Sequence, residues 1–151
     1  MSVTTDKRTP TEDRFETGEA FRNMAAYVVR IAKNEKNFPK RDRWIITYEF
    51  AKAAVKAYGH VVAANETEVN ELDDYQYRRG QQVKAKAALK KTLSYAEIAY
   101  TELGLGADKL ETLTGLVMKC RSLLSAWRES DRKRYKAAME AKERDKKGGT
   151  A

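Results

Sequence analysis

The chain has 151 residues, which suits one domain, and its 30 Lys and Arg against 22 Asp and Glu give a net charge of +8. It contains only 8 Gly and 2 Pro, and both prolines precede residue 40. This composition disfavours a β-sandwich or β-barrel, which needs frequent turns, and favours long helices. No segment is long and apolar enough for a transmembrane helix, and the polar first residues do not resemble a signal peptide.

Only one cysteine, Cys120, and one histidine, His60, are present. A single cysteine cannot form an internal disulfide, which suits a reducing compartment. The two residues together are too few for a tetrahedral zinc site within one chain. We therefore expect a cytoplasmic protein that holds no metal or other cofactor. Since no transmembrane segment is predicted either, we expect no association with a membrane.

Residues 1–16 lack apolar periodicity, which predicts a flexible leader. A first helix is expected to begin near Thr17, which can serve as its N-cap. It ends at Asn37-Phe38-Pro39, because the residue before a proline avoids α-helical backbone, although Pro39 could also begin the next helix. The predicted apolar face has residues three and four positions apart: Phe21, Met24, Tyr27, Val28 and Ile31.

The second predicted helix runs from about Lys40 to Ala64 and is apolar over more than half of its circumference. Its aromatic residues Trp44, Phe50 and Tyr58 have the spacing of core positions. The polar remainder carries Glu49, Lys52, Lys56 and His60. A helix this apolar contacts more than one neighbour, so it is expected to be central in a bundle or to bury a face against another subunit.

The third predicted helix extends from about Glu71 to Leu103, with Asn70 and Asp73 as a weak capping pair. Gly104-Leu105-Gly106 ends it, because glycine readily adopts the left-handed backbone that closes a helix. Its expected apolar stripe is Ala85, Leu89, Leu93, Ala96 and Tyr100.

The fourth predicted helix begins at an N-terminal box formed by Asp108 and Glu111. Its expected core face is Leu113, Leu116, Val117, Cys120, Leu123, Leu124 and Trp127. Residues 131–147 continue with good helix formers but almost no apolar face, which predicts a protruding or fraying helix. Together the four helices predict an all-α, antiparallel up-down-up-down bundle over residues 17–130, followed by a charged helical extension and tail over residues 131–151.

No catalytic motif accompanies this pattern. The sequence lacks a glycine-rich phosphate loop, G-x-S-x-G, H-E-x-x-H and C-x-x-C. Any triad would need His60, which lies on a polar helix side, and Cys120 has the spacing of a buried small hydrophobe. We expect no catalytic residues and no enzymatic activity.

Positive charge is the strongest remaining signal. No acidic residue lies between Asp74 and Glu97, and this span carries six basic residues: Arg78, Arg79, Lys84, Lys86, Lys90 and Lys91. On the fourth helix Arg121, Arg128 and Arg132 align on one side. These nine residues are the candidate contacts to nucleic-acid phosphates. The alternative is a solvated surface that keeps the protein soluble. Tyr75 and Tyr77, beside the first arginines, are candidates for base stacking.

Two short segments resemble one family. Asn37-Phe38-Pro39-Lys40-Arg41-Asp42-Arg43-Trp44 resembles the F-P-K-x-x-R-[YW] junction of four-helix-bundle proteins related to the bacterial rRNA intervening-sequence protein. Cys120-Arg121-Ser122-Leu123-Leu124-Ser125-Ala126-Trp127 is similar to the G-R-x-L-G-x-W ending of one branch, the accessory variability determinant proteins of diversity-generating retroelements. The resemblance covers about residues 20–130, and Cys120 and Ser125 stand where that branch often has glycine.

The resemblance implies a basic homopentameric barrel of bundles that is not itself catalytic. Such a protein binds the reverse transcriptase of the retroelement and supports cDNA synthesis from template RNA during mutagenic retrohoming. The expected partners are thus a reverse transcriptase, template RNA or cDNA, and further copies of the chain. The alternatives are an rRNA-associated protein of the same superfamily and a structural or adaptor bundle.

Overall fold

A computed structural model describes residues 15–148, and the leader expected at residues 1–16 lies almost entirely outside this range. The elements are α1 (Glu16–Lys33), a 3₁₀ turn (Lys40–Asp42), a π-helical segment (Arg43–Thr47), α2 (Tyr48–Asn65), α3 (Leu72–Glu102) and α4 (Ala107–Gly148). Residues 15–148 contain no strand. For this part of the chain, the prediction of an all-α fold with four α-helices is confirmed.

Each helix packs against two others, and this arrangement is consistent with a four-helix bundle. Helix α1 contacts α2 and α4, and α3 contacts the same two helices. The core between them is closely filled by apolar side chains from all four helices, including Phe21, Met24, Phe50, Leu89, Leu113 and Leu124. None of the helices within residues 15–148 has the length and apolar character needed to cross a bilayer.

The starts of all four helices differ from the prediction. The α-helical winding of the second helix begins at Tyr48, because a 3₁₀ turn and a π-helical segment occupy residues 40–47. Helix α1 begins at Glu16 with Phe15 as N-cap, so Thr17 lies inside the helix and is buried. The Thr17 hydroxyl donates a hydrogen bond of 3.4 Å to the Leu123 carbonyl, which satisfies it within the bundle instead of at a helix end. The N-cap of α3 is Glu71 rather than Asn70, and it makes no side-chain capping bond.

The connection between α3 and α4 agrees with the prediction where α3 ends and differs from it where α4 begins. Asp108 lies in the first turn of α4 instead of preceding it, where its negative charge still favours the helix N-terminus. The end of α3 was predicted correctly. Gly104 has φ of +82°, and the Leu105 amide donates back to the Ala99 carbonyl at 3.2 Å.

The placement of Trp44 in the core was wrong. Its side chain is 81% exposed, whereas Phe50 on the same helical segment is fully buried and Tyr58 is half-buried. Trp44 lies in the π-helical segment, where Ile46 is the residue that is buried. Tyr100, expected on the stripe of α3, is also exposed, although Leu89 and Ala96 are buried as predicted.

Helix α4 continues without a break through residues 131–147, where the sequence predicts a protruding or fraying helix. The first half of this segment packs on the rest of the molecule. Tyr135 stacks on Tyr75, with ring centroids 4.2 Å apart and planes 5° from parallel. Further along, the Lys142 ammonium donates to the Glu71 carboxylate at 2.7 Å. The polar segment is thus held by an aromatic stack and an ion pair instead of by an apolar stripe.

Candidate nucleic-acid interface

Arg78 is not a surface cation, which corrects its place among the candidate phosphate contacts. Its side chain is 6% exposed and its guanidinium makes a bidentate pair with the Asp131 carboxylate, at 2.7 and 2.8 Å. A third bond of 2.7 Å goes to the Thr67 carbonyl, and Gln82 donates to Asp131 at 2.8 Å. We call Arg78, Gln82 and Asp131 the buried polar cluster. Because its donors are occupied inside the protein, Arg78 cannot hold a phosphate.

The buried polar cluster joins α3 to α4 and is covered by an aromatic ring. The guanidinium carbon of Arg78 lies 4.9 Å from the centroid of the Trp127 ring, a cation–π geometry. Phe15 packs edge-on against the same ring at 4.8 Å. A buried charge needs a partner and further hydrogen bonds to offset its desolvation, and this cluster supplies both.

Three further basic residues on the same two helices are less enclosed than Arg78: Lys86 and Arg121 are exposed and Arg128 is half-buried. Lys86 of α3 and Arg121 and Arg128 of α4 line a small cavity of about 80 Å³, together with Leu124 and Ser125. We call these three basic residues the α3–α4 cationic cleft. The Nε atom of Arg128 is buried and has no hydrogen-bond partner within residues 15–148. None of the three basic side chains forms a salt bridge within the same range.

The other predicted residues of this side fall into two groups. Arg79 and Lys90 are exposed and lie on the same side of α3 as Lys86, as their spacing predicts. Arg132 is exposed but paired, because its Nε donates to both oxygens of Glu129 at 2.6 and 3.1 Å. This hydrogen bond lowers the pKa of the Glu129 carboxyl. Arg132 is therefore less available to a phosphate than the residues of the α3–α4 cationic cleft.

Lys84 and Lys91 lie on a different side of α3 and face α2. There they line a groove of about 320 Å³ that we call the α2–α3 groove. The groove carries polar and basic side chains from both helices: Lys52, Lys56 and His60 on α2, and Lys84 and Lys91 on α3. Its one acidic lining residue is Glu49, and His60 is held by a 2.8 Å hydrogen bond between its Nδ1 and Gln81.

Sequence reasoning missed Lys52 and Lys56 as parts of a basic surface. They were visible as the polar side of the second helix, but nothing in the sequence shows that this side meets Lys84 and Lys91.

The two residues predicted to stack on bases differ in how exposed their rings are. Tyr75 is half-buried under Tyr135, which occupies one face of its ring, whereas Tyr77 is exposed.

Cys120 is fully buried in the core, and this burial raises the pKa of its thiol to about 12. It therefore stays protonated at neutral pH and is a poor nucleophile. Among residues 15–148 no group of three or more His, Cys, Asp or Glu side chains is arranged to hold a metal ion. Two basic depressions lie on either side of α3 and are suited to binding an extended anion.

No family model matches the chain, and no curated protein matches it either.

Proposed function

We propose that the chain is a non-enzymatic accessory protein that binds a reverse transcriptase together with template RNA or cDNA, and that it supports mutagenic retrohoming of a diversity-generating retroelement. The observation that carries the nucleic-acid part is the α3–α4 cationic cleft. There Lys86, Arg121 and Arg128 converge from two helices without a carboxylate partner within the described residues.

Unpaired surface cations suit a polyanion for a simple electrostatic reason. Each phosphate contact releases condensed counterions, so affinity depends strongly on salt and little on base sequence. The two depressions beside α3 offer separate contacts to such a ligand, Lys86 on one side and Lys84 and Lys91 on the other. This distribution supports binding of a long, flexible strand by many weak contacts.

Self-association would multiply those contacts. We propose an antiparallel bundle that assembles into a homo-oligomer, with the pentamer implied by the resemblance. Two features support it. The His60–Gln81 hydrogen bond pairs the end of α2 with the start of α3, as antiparallel neighbours require. Val55 and Val62, seven positions apart, are both exposed on the outer side of α2 and form an apolar strip that a second copy could cover.

The proposal of a reverse transcriptase as partner rests on the resemblance to the accessory variability determinant family. The F-P-K-x-x-R-[YW] segment lies at the connection between α1 and α2, which is the place that the family pattern requires. The other motif ends at Trp127, which packs on the buried polar cluster inside the bundle. Cytoplasmic location follows from the same proposal.

The test is to purify the tagged protein from its native host and to identify associated proteins by mass spectrometry and associated RNA by sequencing. The proposal expects a reverse transcriptase and one dominant structured RNA. Ribosomal RNA without a reverse transcriptase would favour the rRNA-associated alternative. A protein free of nucleic acid would leave the basic residues as a solvated surface of an adaptor bundle.

A further inference from the structure

Two aromatic rings are exposed where α2 begins, and neither belongs to the hydrophobic core of the bundle. Trp44 is 81% exposed and Tyr48, four positions later, is 50% exposed. Their ring centroids are 6.3 Å apart and their planes are inclined by 49°. Trp44 belongs to the π-helical segment Arg43–Thr47, a winding that is rare and frequently marks functional sites.

Basic residues outnumber acidic ones around these rings, where Glu49 is exposed next to Tyr48. Lys40, Arg41 and Arg43 are all exposed in the turn that leads into Trp44. The carboxylate of Asp42 is mostly covered by the protein and lies 3.7 Å from Arg41. On the other side, the Lys52 ammonium lies 5.5 Å from the centroid of the Tyr48 ring. Lysine is depleted at the centre of protein interfaces, so Lys40 and Lys52 beside the rings favour a polyanion over a second protein.

Lys52 connects the two rings to the α2–α3 groove. It contacts the Tyr48 ring and also lines the groove with Lys56, Lys84 and Lys91. A basic groove that continues into exposed aromatic rings is the arrangement by which proteins hold single-stranded nucleic acid, with phosphates on the cations and bases stacked on the rings.

We propose that Trp44 and Tyr48 form a base-stacking platform for single-stranded nucleic acid whose phosphates follow the α2–α3 groove. This inference rests on the proposed nucleic-acid binding and adds that the preferred ligand has unpaired bases. A duplex keeps its bases stacked on one another and offers the rings no free face. The platform therefore makes the protein distinguish single strands from duplexes without reading a base sequence.

The test uses a labelled 15-nucleotide single-stranded RNA and a duplex of the same sequence, with affinities measured by fluorescence anisotropy. In the variant Trp44→Leu/Tyr48→Leu, apolar side chains remain but the aromatic faces are lost. We expect its affinity for the single strand to fall at least about tenfold, since each stacked base contributes appreciably to binding. Its affinity for the duplex should stay unchanged.

The matched control is Tyr100→Leu/Met118→Leu, which changes two exposed large side chains on α3 and α4 outside the platform and the groove and should keep full single-strand affinity. Tryptophan emission provides a second readout. Single-stranded RNA should quench it in the wild-type protein and quench it much less in Trp44→Leu, where Trp127 is the remaining tryptophan.

Three results would count against these ideas in distinguishable ways. Wild-type protein that binds neither RNA would overturn the proposed function itself. Wild-type protein that binds RNA, with the double leucine variant keeping its single-strand affinity, would overturn the stacking platform alone. Emission from Trp44 that changes with protein concentration in the absence of RNA, together with dissociation of the leucine variant into monomers, would place the rings against a second copy and would also overturn the platform.

Discussion

The buried polar cluster and the α3–α4 cationic cleft are built on the same two helices yet treat positive charge in opposite ways. In the cluster, Arg78 is paired with Asp131 and enclosed. In the cleft, two helical turns further along α3, Lys86 meets Arg121 and Arg128 with no carboxylate between them. In the cluster the cation joins α3 to α4 through its carboxylate partner. In the cleft the cations have no carboxylate partner within residues 15–148.

This contrast shows that the role of a basic residue is set by what the fold brings beside it. Arg78 and Arg79 are adjacent in sequence, but one is buried and the other exposed. Removing a partner from the cluster should lower the free energy of unfolding. Removing charge from the cleft should weaken the binding of an anion and leave the fold intact. The following variants test each half of this distinction.

The largest effect on stability is expected from Asp131→Ala. It leaves the Arg78 guanidinium buried without its counter-ion, and breaking such a pair costs about 3–5 kcal/mol. Urea denaturation followed by circular dichroism gives the free energy of unfolding. The matched control is Arg79→Ala, whose exposed side chain should change that free energy by less than about 0.5 kcal/mol. Equal losses in the two variants would show that the cluster does not stabilise the fold.

A smaller loss is expected from Trp127→Leu. The variant removes the cation–π contact to Arg78 and the edge contact to Phe15, and should lower the free energy of unfolding by about 2 kcal/mol. Its RNA affinity should match that of the wild type, because the ring covers the cluster and not the cleft. Trp44→Leu serves as the control, since that ring packs on little of the protein and its removal should leave the unfolding curve in place.

In the cleft, the single variant Arg128→Ala should act on binding. Loss of one phosphate contact reduces the slope of log affinity against log salt concentration by about 0.7 for a single strand. Anisotropy titrations over a series of salt concentrations measure this slope. Arg30→Ala, an exposed arginine of α1, should leave it unchanged. A slope that Arg128→Ala fails to alter would remove this residue from the interface.

The smallest effect concerns Cys120, which is buried in the core of the bundle and precedes Arg121 of the cleft in sequence. Burial raises the pKa of its thiol to about 12, so the folded protein should react slowly with a thiol reagent at pH 8. Charge-reversed cleft variants should react equally slowly. Above about pH 9 the thiol ionises in the unfolded chain but not in the folded one, so stability should fall with rising pH. Rapid labelling of a cleft variant would show that its core has opened.

Much of this fold could be predicted from the sequence, because helices leave local signals. Apolar spacing and the break at Gly104 predicted four helices, and most of their ends are correct to within a few residues. The exception is α2, which begins at Tyr48 instead of near Lys40. The errors arose where a distant part of the chain decides the outcome. Arg78 meets a partner 53 positions away. Whether Trp44 is covered depends on what packs against the π-helical segment Arg43–Thr47, in which Ile46 is the buried residue.

For the candidate site too, positions on one helix were predictable and contacts between helices were not. Spacing correctly grouped Arg79, Lys86 and Lys90 on one side of α3. It could not show that Lys86 meets Arg121 and Arg128, nor that Lys84 and Lys91 face Lys52 and Lys56 across a groove. Those pairings depend on how helices pack, which single-helix patterns do not contain.

The most direct test of the central claim compares two triple charge reversals for affinity toward single-stranded RNA at about 150 mM salt. One is Lys86→Glu/Arg121→Glu/Arg128→Glu in the α3–α4 cationic cleft. The other is Arg30→Glu/Lys36→Glu/Lys119→Glu, which changes three exposed cations elsewhere and gives the same net charge. We expect the cleft variant to lose at least about tenfold more affinity than the control, with both remaining helical. Equal losses would show that net charge alone governs binding and would contradict the assignment of the cleft.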